Sequence, residues 1–115
     1  MDLYERRNEL YMSVQHTRLL LQNTKFNLNS WCAQKDSMVK EFHRLIQTNS
    51  MTIEMAQEFE QFDKVYEENV TILHSQIARY EKDLDYLHQQ CAEVENRIKC
   101  EEAMNKIFER YHDFS

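Results

Sequence analysis

One apolar seam limits the folds open to this chain more than any other feature. Met55, Phe59, Phe62, Tyr66, Val70, Leu73, Ile77, Tyr80, Leu84, Leu87, Cys91, Val94 and Ile98 follow one another in steps of three or four, and each is apolar, aromatic or cysteine. That spacing is the heptad signature of a helix that buries one stripe against another helix. Two successive steps of four, Phe62 to Tyr66 to Val70, form a stutter, which locally relaxes a left-handed supercoil. At 1.5 Å per residue the seam runs along roughly 65 Å of helix. A small globule does not wrap so long a stripe, so the seam calls for a second long helix beside it.

The N-terminal half repeats the pattern less cleanly. Stepping from Leu3 by alternate fours and threes meets Arg7, Leu10, Val14, Thr17, Leu21, Thr24, Leu28, Trp31, Lys35, Met38, Phe42, Leu45, Asn49 and Thr52. Leu10, Val14, Leu21, Leu28 and Trp31 are its expected packing residues, and Arg7, Lys35 and Asn49 are polar lapses. Past Ile98 the seam crosses Glu101 and resumes at Met104, Ile107, Tyr111 and Phe114. Off the seam, Glu60/Lys64, Glu93/Arg97, Glu95/Lys99 and Glu102/Lys106 set acid before base at i, i+4, as a solvated helical face does.

The chain of 115 residues has no glycine and no proline. Tight turns with positive φ, glycine-terminated helices and proline-punctuated loops lose their usual residues. A turn-rich sheet protein is excluded, as are the P-loop and the glycine-rich dinucleotide fingerprint. The fold class expected is all-α, with long helices in an extended coiled coil. Asp2 followed by Glu5 has the form of a capping box and marks the first helix start. A bend or short connector is expected at residues 32–37, where Lys35 occupies the seam and Asp36 or Ser37 would cap a new helix; residues 47–52 are the alternative hinge. The organisation expected is an N-terminal docking helix over 1–31, the connector over 32–37 and a long coiled-coil helix over 38–115.

Charge divides unevenly. Residues 1–50 hold seven basic and five acidic side chains, whereas residues 51–115 hold seven and fifteen, within a net charge of −6. The acidic half repels phosphate, so direct nucleic-acid binding is disfavoured and a basic partner surface is favoured. No apolar run reaches the roughly 20 residues of a membrane span. The first residues also lack a signal-peptide layout, and the expectation is a soluble intracellular protein. Cys32, Cys91 and Cys100 read as reduced thiols.

No catalytic constellation emerges. His88 and Cys91 would present two metal ligands on one helical face, but zinc needs four, and Cys91 lies on the seam. A Cys/His nucleophile needs a pocket and an oriented base that this pattern does not build. The expectation is no enzyme, no cofactor, no metal and no small-molecule substrate. The seam from Met55 to Ile98 is instead expected to be the contact with a partner, either another long helical protein or a second copy.

Several stretches resemble the THO complex subunit 7 family: Arg6-Arg7 with Leu10, Trp31-Cys32, Phe42-His43-Arg44-Leu45, Phe62-Asp63-Lys64-Val65-Tyr66-Glu67, and Glu101-Glu102-Ala103 with Lys106-Ile107. Trp31-Cys32 and the Phe62 to Glu67 element are the most specific of these. The resemblance implies a nuclear coiled-coil scaffold subunit of the transcription-export assembly, acting in mRNA processing and export and pairing with THO subunit 5. The alternative is a coiled-coil subunit of a kinetochore, spindle or vesicle-tethering complex; a ligand-binding helical globule is a third reading.

Overall fold

The computed structural model describes residues 2–112. They form two α-helices, α1 from Leu3 to Gln47 and α2 from Ile53 to His112, and the chain is all-α. Phe114 lies outside the described residues.

Helix α1 starts where the capping pattern places it. The Asp2 carboxylate accepts a hydrogen bond from the Glu5 N–H at 2.8 Å, and the Asp2 carbonyl accepts the Arg6 N–H at 3.1 Å. One orphan donor of the first turn is thereby satisfied by a side chain.

The connector expected at 32–37 is absent, because residues 32–37 are helical and α1 passes through them. The reason is visible at Lys35, whose charge on the seam looked like an interruption. Its ammonium pairs with the Asp63 carboxylate of α2 and sits 5.2 Å from the centre of the Tyr66 ring. A lysine stem lies along apolar surface while its head finds a partner, so the helix continues. With α1 unbroken to Gln47, the division into 1–31, 32–37 and 38–115 gives way to two helices separated by residues 48–52.

The chain reverses at Asn49, which takes a left-handed φ of 56°. The Asn49 N–H donates to the Ile46 carbonyl at 3.2 Å and the Ser50 N–H to the Leu45 carbonyl at 2.9 Å. Those two bonds define a Schellman motif, with asparagine in the place glycine usually takes. Thr52 then starts α2: its hydroxyl accepts the Met55 N–H at 3.1 Å, and its carbonyl accepts the Ala56 N–H at 3.0 Å.

The chain divides into two compact units. The first unit joins Met1–Leu19 to Tyr80–Ser115, and it sets the beginning of α1 against the end of α2. Its core is Leu10, Val94 and Ile98, with Leu3, Leu87 and Cys91 packed around it. The second unit, Leu20–Arg79, contains the turn and the helix segments on either side of it. There Trp31 meets Phe62 and Tyr66 at ring separations of 6.3 and 6.5 Å, and Phe42 meets Phe59 edge-on at 5.4 Å.

Since positive φ is what selects the turn residue, Asn49→Val is expected to lower stability by about 1 kcal/mol. Asn49→Gly is expected to melt at or above the parent temperature. Thermal unfolding followed by far-UV circular dichroism reads both.

Candidate interaction surface

The α2 seam lies inward in both units. In the first, Val94 and Ile98 are buried and Tyr80, Leu84, Leu87 and Cys91 are half-buried. In the second, Phe59, Phe62, Tyr66, Val70, Leu73 and Ile77 are half-buried, while Met55 is exposed at the edge. At the stutter Val65 and Asn69 join them, as an inserted four requires, and the Asn69 amide donates to the Val65 carbonyl at 2.8 Å. These are the residues expected to form a partner contact. The helix that meets the seam is α1 of the same chain, through Leu10 in the first unit and Trp31 and Phe42 in the second. The N-terminal packing residues follow: Leu10 and Val14 are buried, and Leu21, Leu28 and Trp31 half-buried.

The polar lapses of α1 have specific partners. Arg7 is half-buried, its guanidinium carbon 5.2 Å from the Tyr4 ring centre and 5.9 Å from that of Tyr11, although its Nε is left without a hydrogen-bond partner. Thr24 is buried and returns its hydroxyl proton to the Leu20 carbonyl at 2.7 Å. Lys35 uses Asp63 and Tyr66, as described. Cation-π and charge-paired contacts of this kind let an otherwise apolar seam carry a cation.

Along one edge of the first unit the helices are joined by a ladder with a step of seven. Tyr4 donates to Glu102 at 2.9 Å, Tyr11 donates to Glu95, and Arg18 Nη2 lies 3.4 Å from His88 Nε2. Each step forward on α1 is matched by one backward on α2, the register of an antiparallel pair. The hydrogen bond to Glu102 holds the Tyr4 phenol above its ordinary value of 10.0, and desolvation adds to the shift. The bond to Glu95 does the same for Tyr11. In the second unit, Tyr66 is raised by its contact with the Cys32 thiol, 3.9 Å away.

The concavities are shallow grooves beside the helices. One of about 180 Å³ is lined by Lys35, Met38, Val39, Phe42, Phe59 and Asp63 in the second unit. Another, of about 270 Å³, brings His88 and Cys91 beside Tyr11 and Arg18 in the first unit. His88 is engaged with Arg18, and no three His, Cys, Asp or Glu side chains gather into a metal site among the described residues. Cys32, Cys91 and Cys100 are free.

With the seam covered, the surface that offers contacts is elsewhere. Among the described residues sixteen large hydrophobic side chains are exposed and only five hydrophobics are buried. On α1, Met12, Leu19 and Phe26 stand 71%, 55% and 71% exposed at intervals of seven residues. Sequence reading followed the strongest stripe and missed this one, although the spacing is visible in the sequence. On α2, Met104, Ile107, Phe108 and Tyr111 are exposed near the helix end. No described helix is long and apolar enough to cross a membrane.

Both tyrosine bonds require the neutral phenol. Their contribution is therefore full below the unfolded value of about 10 and is lost as pH rises through the higher folded values. Urea unfolding of the parent is expected to weaken across that alkaline window. The Tyr4→Phe/Tyr11→Phe variant should start weaker at neutral pH and change less with alkali.

Compared with family models, curated proteins and solved structures, the chain matches none.

Proposed function

We propose that the protein is a non-enzymatic helical scaffold subunit of a multiprotein complex, of the kind represented by the THO transcription-export assembly. The observation that carries the scaffold reading is the imbalance between exposed and buried apolar side chains. Two helices cover one stripe each, and the apolar groups left outside suit contact with other chains. Charge supports a role among proteins, since the acid-rich α2 repels phosphate.

The address within the cell rests on the resemblance. Its two most specific parts, Trp31-Cys32 and the Phe62 to Glu67 element, pack on one another in the second unit. A short motif pair held in a single aromatic cluster is a coherent unit of structure, which favours reading the two together. In this reading the protein acts in the nucleus, with THO subunit 5 as a partner.

The test is recovery of the tagged full chain from native nuclear extract, followed by mass spectrometry. The expected companions are transcription and mRNA-export proteins, THO subunit 5 among them. Recovery of microtubule or vesicle-tethering proteins in their place would overturn the address and leave the scaffold reading. Leu84→Asp/Leu87→Asp is expected to destabilise the first unit itself by roughly 3 kcal/mol or more, because each carboxylate enters the seam between α1 and α2. Chemical denaturation reads that loss directly. A loss of partners in this variant therefore reports unfolding, and docking is better probed through exposed residues.

A further inference from the structure

In the second unit the helical register is the same on both sides of the reversal. Leu28, Lys35 and Phe42 on α1 and Ala56, Asp63 and Val70 on α2 all stand at whole multiples of seven residues from Asn49. One heptad phase therefore crosses residues 48–52, which belong to neither helix in the closed chain. A loop of arbitrary length has no need to keep that phase, whereas a helix bridging the gap would carry both stripes on one face. None of residues 48–52 is glycine or proline, so nothing in them forbids such a helix. The contacts across the reversal share this symmetry: Cys32 with Tyr66 and Lys35 with Asp63 are each spaced equally about residue 49.

We propose that two copies of this chain exchange their α1 helices: residues 48–52 become helical, and each chain pairs antiparallel with the other instead of with itself. The α2 seam then takes α1 of a second copy, Trp31 packing on Phe62 and Lys35 pairing with Asp63 across the two chains as they do within one. Because the paired residues centre on residue 49, the two-fold axis passes through it and the two copies of Asn49 face each other. An asparagine at such a seam position fixes register and oligomer state at a cost in stability. This inference is independent of the scaffold reading, since it concerns the chain with itself. Two opposing effects set the extent of exchange. In the closed chain the short connection holds the two segments at a millimolar effective concentration. In the exchanged pair residues 48–52 gain helical hydrogen bonds and Asn49 leaves the left-handed region, in both copies at once. The helix contacts are common to both forms and cancel, so the hinge decides.

Sedimentation equilibrium of the full chain up to about 1 mM should show a monomer and a dimer with a dissociation constant on the order of 0.1 mM. Asn49→Ala, which favours helix and disfavours positive φ, should tighten the dimer at least about tenfold; Asn49→Gly should weaken it at least about tenfold, because each change acts in both copies. Exchange itself is read by charge reversal. Lys35→Asp alone sets acid against acid and Asp63→Lys alone sets base against base, in the closed chain and in a homodimer alike. Mixing the two variants restores both pairs only if α1 of each chain lies on α2 of the other. The mixed dimer should be at least about tenfold tighter than either homodimer. Both variants keep a net negative charge, so overall attraction does not favour the mixture.

A chain that stays monomeric to about 1 mM, a dimer indifferent to the residue at position 49, or a mixture no tighter than its homodimers would overturn the proposal. The last two results would mark side-by-side association of closed chains. Should a charge variant lose helicity alone, exchange requires that mixing restore it, and a mixture that stays unfolded counts against the proposal. The companions recovered from extract bear on the scaffold reading alone, so the two can fail separately.

Discussion

The arrangement depends on covering a long apolar stripe with a helix from the same chain, in a sequence that has neither of the usual turn residues. An L-residue in the left-handed region strains its Cβ against the following carbonyl, and asparagine is among the few that tolerate it. Asn49 meets that requirement, and the carbonyls of Leu45 and Ile46 receive the amides that follow the helix. Thr52 then supplies the next helix with its first acceptor. Three short polar bonds thus let the Trp31, Phe62 and Tyr66 rings meet within one chain.

The seam itself is not uniformly apolar, and its polar members are informative. Arg7, Thr24 and Lys35 solve the same problem in three ways: an aromatic sandwich, a bond back to the helix's own carbonyl, and a charge partner on the other helix. Each keeps a polar group inside the stripe without breaking the helix. Buried or half-buried polar groups of this type favour one pairing over its alternatives. The seven-residue ladder from Tyr4 to Arg18 adds a second restraint along the edge of the first unit.

Much of this fold was legible in the sequence, and the parts that were not failed for physical reasons. The α2 stripe could be read residue by residue because apolar period survives any choice of partner; only Met55 lies at the exposed edge, and Val65 and Asn69 enter through the stutter. The break was misplaced because Lys35 looked costly on a seam when Asp63, far away in the chain, could not be seen beside it. The turn at Asn49 was underweighted because asparagine announces positive φ less clearly than glycine does. The demand for a second helix was read from the seam, but a chain without glycine or proline looked ill equipped to turn back on itself, so that helix was sought mainly in another chain. The outward stripe of Met12, Leu19 and Phe26 was hidden by the stronger one opposite.

Asn49 also separates two assemblies built from the same contacts. Were residues 48–52 helical, α1 would run on into α2 as one rod, and two such rods would bury the same stripes against each other reciprocally. Trp31 would then meet Phe62 of a sibling chain, and Lys35 would find the sibling's Asp63. An exchanged dimer of that kind shares its interfaces with the closed monomer, so its contacts give no basis for choosing between them. The reversal over residues 48–52, with Asn49 at positive φ and the Leu45 and Ile46 carbonyls closing it, is the one place where a solitary chain and an interlocked pair would differ in backbone.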